Sequence, residues 1–130
     1  MSELLLDSDV IIWWLRGESP YDSLIPALLQ RDSLFWTPIS VAELFAGART
    51  SEEPELEKLF LILDVLAITA EIGRYAGYYM RRFSKSHGVE LADALIAATA
   101  HSHNFPLWTL NRRHYPMKDI RFFSPPGRRL

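Results

Sequence analysis

A three-layer α/β/α fold with a mostly parallel central sheet is what this sequence predicts, on three observations. Short apolar runs (LLL at 4–6, LFW at 34–36, VLAI at 65–68, LWTL at 107–110) alternate along the chain with segments of helical apolar spacing, the pattern of strand–helix–strand units. At 130 residues and 48% apolar composition the chain is sized for one compact core, and a single domain over residues 1–130 is expected. A charged fraction of 23% with only six glycines and no low-complexity tract argues against disorder.

The elements follow in order. Residues 4–6 read as a buried strand and 10–15 as a helix that stops at Gly17, capped by Ser8 or Asp9. A second helix spans 21–30, bent at Pro26, and a strand at 34–38 ends on Pro38. The segment ISVAELFAGAR (39–49) predicts a helix with Ser40 as its cap, and 54–63 another with Pro54 in its first turn. A short strand at 65–68 leads to Thr69, the expected cap of a long helix that Gly88 closes. The small-residue stretch 91–104 predicts a closely packed helix. LWTL and RFF (121–123) are the last expected strands, and from about residue 124 the tail SPPGRRL is expected to fray.

Composition excludes some classes. There are no cysteines, so disulfides and zinc–thiolate sites are ruled out, in keeping with a reducing cytoplasm. The N-terminal apolar run lacks a basic start and a small-residue cleavage site, and Asp7 and Asp9 interrupt it; neither a signal peptide nor a membrane span is expected. A net charge of −2 leaves no global attraction for polyanions, so nucleic acid must be met by local basic patches. Such patches occur at Arg81, Arg82 and Lys85, at Arg112 and Arg113, and at Arg128 and Arg129.

In open α/β sheets ligands gather beyond the carboxyl ends of the strands. Asp7 follows the first strand, Glu43 is expected in the first turn after the second, Asp93 opens a helix, and Asn111 follows LWTL. Burying an unpaired carboxylate is expensive, and two carboxylates about 5 Å apart repel by roughly 3 kcal/mol at an effective dielectric near 20. No Lys or Arg lies directly beside these acids in sequence. An oxygen-only cluster without its own cation suits Mg2+ or Mn2+.

Plainer roles compete at each position. Asp7 and Asp9 both lie where a helix dipole favours acids, which accounts well for Asp9. Ser40-Val41-Ala42-Glu43 has the form of a capping box, and Asp93 is a first-turn acid. Glu90 is at best an outer neighbour of the site. His101 and His103, two residues apart on one helix, face different ways and do not share an ion. Tyr75, Tyr79, Met80 and Phe83 form a helical apolar stripe suited to core packing or a homodimer seam rather than base stacking.

Taken together, LLLDSDVIIWWL, TPISVAEL, ELADALIAATA and LWTLNRRHYP resemble the PIN-domain ribonucleases, most closely the small toxins of VapBC toxin–antitoxin pairs. The resemblance runs nearly end to end, with the motifs in the family's order. It implies a PIN-like fold and a cytoplasmic, Mg2+- or Mn2+-dependent endoribonuclease that hydrolyses RNA. It implies catalytic Asp7, Glu43, Asp93 and Asn111, of which the first three would bind metal. It also implies a cognate antitoxin and a toxin homodimer. Ser8, Arg112, Arg113 and His114 are the candidate substrate contacts. Many relatives carry an acid where this chain has Asn111 or His114, which favours one tightly held ion over two. Two rival readings remain at this level. One is a catalytically weak PIN-like module that binds RNA or protein. The other is a haloacid-dehalogenase-like phosphatase, suggested by the D-x-D of LLLDSDVI alone.

Overall fold

The computed structural model describes residues 2–125; the Arg128–Arg129 patch and most of the expected frayed tail lie outside them. Four strands, β1 (Glu3–Leu6), β2 (Ser33–Trp36), β3 (Asp64–Val65) and β4 (Leu107–Trp108), form one sheet. Its order is β3-β2-β1-β4 and every pairing is parallel. Six α-helices lie between them: α1 (Ser8–Leu15), α2 (Tyr21–Leu29), α3 (Pro38–Gly47), α4 (Glu53–Ile62), α5 (Ala70–His87) and α6 (Leu91–His103).

Side chains of a strand alternate between faces, and β1 shows the consequence. Leu4 and Leu6 enter one core with Val10, Ile25, Leu28 and Trp36, whereas Leu5 enters a second with Ala76, Ala97 and Leu107. The first core therefore lies under α1, α2 and α4, the second under α5 and α6. In α5 the buried Ile72, Ala76 and Tyr79 recur at helical spacing. Tyr75, Met80 and Phe83 pack against the same core, so the aromatic stripe is largely internal. The alanines of α6 let it lie close: Ala94, Ala97, Ala98 and Ala100 are all buried.

Several expected boundaries move, for identifiable reasons. Helix α1 begins at Ser8, and its cap is Asp7, whose carboxylate accepts from the Ser8 amide at 2.8 Å. Helix α3 begins at Pro38, not Ile39, with Thr37 as cap: the Thr37 hydroxyl accepts from the Ser40 amide at 3.3 Å. Pro38 thus opens a helix, where its missing N–H is harmless, and does not merely end a strand. Ser40 sits inside α3, so the expected capping box is not formed and Glu43 lies in the second turn. The third strand is only Asp64–Val65. The fourth keeps only Leu107 and Trp108, and RFF contributes a single bridge from Phe122 to Leu107. Thr69 caps α5 and a left-handed Gly88 closes it, as expected. Among the described residues no helix is long and apolar enough to cross a membrane.

Candidate functional site: an acidic pocket at the switch in strand order

Strand order reverses at β1: its successor β2 lies on one side and β4 on the other. That reversal opens a crevice beyond the carboxyl ends of β1 and β4. A cavity of about 310 Å³ lies there, lined by Asp7, Ser8, Asp9, Ile12, Glu43, Glu90, Ala92, Asp93, Asn111 and His114. Asp7, Glu43, Asp93 and Asn111 thus line one cavity although up to about a hundred residues separate them in sequence.

Asp7 is buried and held from three directions. One carboxylate oxygen takes the Ser8 amide; the other accepts from the Thr109 hydroxyl at 2.9 Å and the Tyr115 hydroxyl at 2.7 Å. The Tyr115 hydroxyl also lies 3.4 Å from Asp93 Oδ1. Burial first, then the charge of Asp7, pushes the Tyr115 phenol far above its ordinary range. Its hydroxyl is the donor in both contacts.

Glu43 projects from the second turn of α3 and accepts from the Ser8 hydroxyl at 2.6 Å, with Ser40 Oγ 3.0 Å from the same hydroxyl. Ser8, a candidate substrate contact, lines the cavity and also orients Glu43. Asp93, on the first turn of α6, has its carboxyl raised from the ordinary value by burial and then by Asp7. His114 Nδ1 lies 3.7 Å from Asp93 Oδ2, and its positive form would oppose that rise.

Asp9 does more than the helix-dipole role foreseen for it. Its Oδ2 accepts from the Leu110 amide at 3.0 Å and from Asn111 Nδ2 at 3.1 Å, so it ties the segment after β4 to α1. Desolvation, followed by repulsion from Asp7, pushes its carboxyl up to about 6. Asn111 therefore presents its amide nitrogen to Asp9 rather than standing apart as a free acceptor. Arg112 is also placed differently from expectation: its guanidinium bonds the Phe123 carbonyl and the Ser124 hydroxyl and lies over the Phe122 ring. It and Arg113 line a neighbouring cavity, not the acidic one. His101 stacks on Tyr75, its ring centroid 4.4 Å away, and His103 lies near Phe105; neither joins the pocket.

Sequence reasoning missed Asp9, Thr109 and Tyr115 as parts of this site. A hydroxyl at the polar end of an apolar strand and a tyrosine soon after it were the available signals, since buried tyrosine hydroxyls need partners.

The raised acids carry a consequence for stability. A carboxyl that is more basic folded than unfolded stabilises the fold below the unfolded pKa, and that contribution is lost as pH rises through the folded value. For Asp9 the window runs from 3.8 to about 6. In EDTA, the stability of the wild type relative to Asp9→Asn is expected to decline as pH rises through this window. The change amounts to roughly 1–2 kcal/mol after allowance for solvent screening. Urea melts at pH 4, 5, 6 and 7 measure it, and a constant difference would refute it.

The donor set fits a hard divalent cation: acidic oxygens, no Lys or Arg paired with them among the described residues, and two carboxyls, Asp9 and Asp93, raised by burial and then by the charge of Asp7. The carboxylates are not already drawn into one coordination shell; among the described residues no three His, Asp or Glu side chains stand in ligating arrangement.

Fold and pocket define a class: an α/β domain with a carboxylate cluster at the switch in its strand order. A PIN-domain family model matches residues 4–120. Ribonuclease VapC10 of Mycobacterium tuberculosis is 39% identical over 129 residues, 97% of each chain. The structure of VapBC-1 from nontypeable Haemophilus influenzae superposes with a TM-score of 0.77 at 23% identity, covering 94% of this chain and 97% of that one. A toxin–antitoxin complex from Klebsiella pneumoniae gives 0.71 at 18%, covering 90% and 94%. The chain belongs to the PIN-domain family. That membership sets aside the phosphatase reading drawn from D-x-D.

Proposed function

We propose that the protein is a metal-dependent endoribonuclease, the toxin of a toxin–antitoxin pair, acting in the cytoplasm. The observation that carries this is the acidic pocket at the strand-order switch, lined by no Lys or Arg among the described residues, in a chain 39% identical to Ribonuclease VapC10. Asp7, Glu43 and Asp93 would hold Mg2+ or Mn2+, preferably a single ion. Such an ion supplies positive charge to the phosphoryl oxygens and acidifies water.

The chain's own residues do the arranging. Tyr115 and Thr109 fix the Asp7 carboxylate from the core side, and Ser8 aims Glu43. Asp9 holds Asn111 at the rim. His114, exposed beside Asp93, is the side chain best placed to meet an RNA phosphate. Water attacking in line would leave a 5′-phosphate and a 3′-hydroxyl. The toxin–antitoxin complexes formed by structural neighbours support a protein antitoxin as partner. Exposed Phe60, Leu61 and Ile62 in the last turn of α4 and Val65 in the edge strand β3 support a homodimer, since exposed apolar surface favours association.

The test is cleavage of structured RNA in Mn2+ by wild type and by Asp93→Asn, with calorimetric Mn2+ titration of both. Wild-type cleavage is expected, with loss of both activity and Mn2+ heat in the variant. RNA bound but cut by neither protein would instead favour the non-catalytic binding module.

A further inference from the structure

The outer face of α5 belongs neither to the core nor to the acidic pocket, and its charge runs against that of the whole molecule. The helix carries four cations and one acid, Glu71, in a chain of net charge −2. We propose that this face docks the sugar–phosphate backbone of structured RNA, gripping the substrate away from the bond to be cut. The assignment rests on the ribonuclease reading above and adds to it a second, remote contact.

Spacing makes the surface. At about 100° per residue, Arg74, Arg81 and Lys85 fall within roughly 40° of one another, opposite the buried Ile72, Ala76 and Tyr79. Their ridge is about 16 Å long, enough to meet several phosphates of one strand. All three are exposed, and among the described residues none forms an ion pair. The helix dipole accounts only for Lys85, in the last turn. Arg81 and Lys85, four residues apart, repel each other, and a polyanion turns that repulsion into affinity. The Tyr78 ring, 5.5 Å from the Arg81 guanidinium, steadies that cation without neutralising it.

A second feature is independent of charge. Gly73 and Gly77 flank the ridge, exposed and inside the helix, where glycine is weaker than alanine. A Cβ at either would meet nothing within 4 Å, so packing within the chain does not require them. They leave a smooth strip where an outside backbone comes close to the helix.

Position ties this face to the pocket. Only Gly88, Val89 and Glu90 separate α5 from α6, and Glu90 and Asp93 line the acidic cavity. Lys85 is therefore at most about 19 Å of chain from Glu90. An acidic polypeptide continuing from the ridge to the cavity would meet only carboxylates. An RNA strand taking the same course would bring a phosphate to the proposed metal.

The experiment follows the fluorescence anisotropy of a labelled RNA stem–loop in EDTA. It compares wild type, a triple variant combining Arg74→Ala, Arg81→Ala and Lys85→Ala, and Gly77→Leu. The triple variant should bind at least about tenfold more weakly, and its log K against log[salt] slope should be smaller by about two to three. Gly77→Leu should melt higher, since leucine is the better helix former, yet bind RNA several-fold more weakly. With Mn2+, the triple variant should raise KM and keep most of kcat. Undiminished RNA binding by the triple variant would overturn the docking surface. Tighter binding of polyglutamate than of RNA by wild type would overturn it in favour of an acidic protein. Gly77→Leu with altered oligomeric state and unaltered RNA binding would assign the face to a second copy instead. Absence of cleavage by wild type, with RNA still held through α5, would sink the ribonuclease reading alone. Cleavage with an unchanged KM in the triple variant would sink the docking surface alone.

Discussion

Replacing Asp7 by asparagine is expected to reduce RNA hydrolysis at least about a hundredfold, because even outer neighbours of a metal site commonly cost 10–100-fold when changed. The substitution is informative because the capping task of Asp7 separates from the metal-holding task proposed for it. As the cap of α1 it accepts from the Ser8 amide, and asparagine caps a helix about as well as aspartate. The Thr109 and Tyr115 hydroxyls that now donate to Asp7 can rotate, and one can accept from the new amide. The lost charge also relieves repulsion that raises both Asp9 and Asp93. In EDTA the variant should therefore melt at or above the wild-type temperature, while activity and Mn2+ binding collapse together. A variant that is inactive because it is unfolded would appear as a lowered midpoint by circular dichroism. A folded variant cutting at the wild-type rate would remove Asp7 from the chemistry.

The largest effect on stability is expected at Leu5. It is fully buried in β1, between β2 and β4, and its register partners are Phe35 and Leu107. Leu5→Ala removes the apolar filling between the sheet and α6, at a cost of about 2–5 kcal/mol. A domain of this size holds only about 5–15 kcal/mol in total, so the melting midpoint should fall by roughly 10–20 °C. Leu91→Ala is the contrast: Leu91 is 58% exposed at the start of α6 and should change stability by no more than about 0.5 kcal/mol. Parallel thermal and urea melts settle both, and equal losses would mean that the sheet face is not the core. Because the acids are untouched, Leu5→Ala should keep the Mn2+ affinity proposed for the wild type at temperatures where it is folded.

The architecture was readable where local signals were strong. The apolar triplet of β1, the Thr69 cap and the Gly88 stop each follow from nearby residues alone. Ends were misread where two neighbours could do the same job. Thr37 and Ser40 both offer a capping hydroxyl, and Pro38 between them decides for Thr37 by taking the first helical position. Asp7, Ser8 and Asp9 compete in the same way, and Asp7 wins the cap. The last strand was read too long because Thr109 and Leu110 look like strand residues. In the fold they leave the ladder to bond Asp7 and Asp9.

Position of the acids was legible from the rule that sites lie beyond strand ends, together with the family resemblance. What fixes them was not. Tyr115 and Asp7 meet across 108 positions, and no local pattern announces such a pair. Nor did sequence show that Arg112 would be held by Phe123 and Ser124, because side-chain direction depends on the loop that follows β4.

The first strand is flanked on one side by the second and on the other by the fourth, so the ribosome makes the two walls of the crevice about a hundred residues apart. Translation proceeds from the N-terminus, and Thr109 lies 102 positions beyond the Asp7 it contacts. A nascent polypeptide therefore lacks a finished acidic cleft until Thr109 has been synthesised. Any premature termination upstream of Thr109 yields a fragment that cannot assemble one.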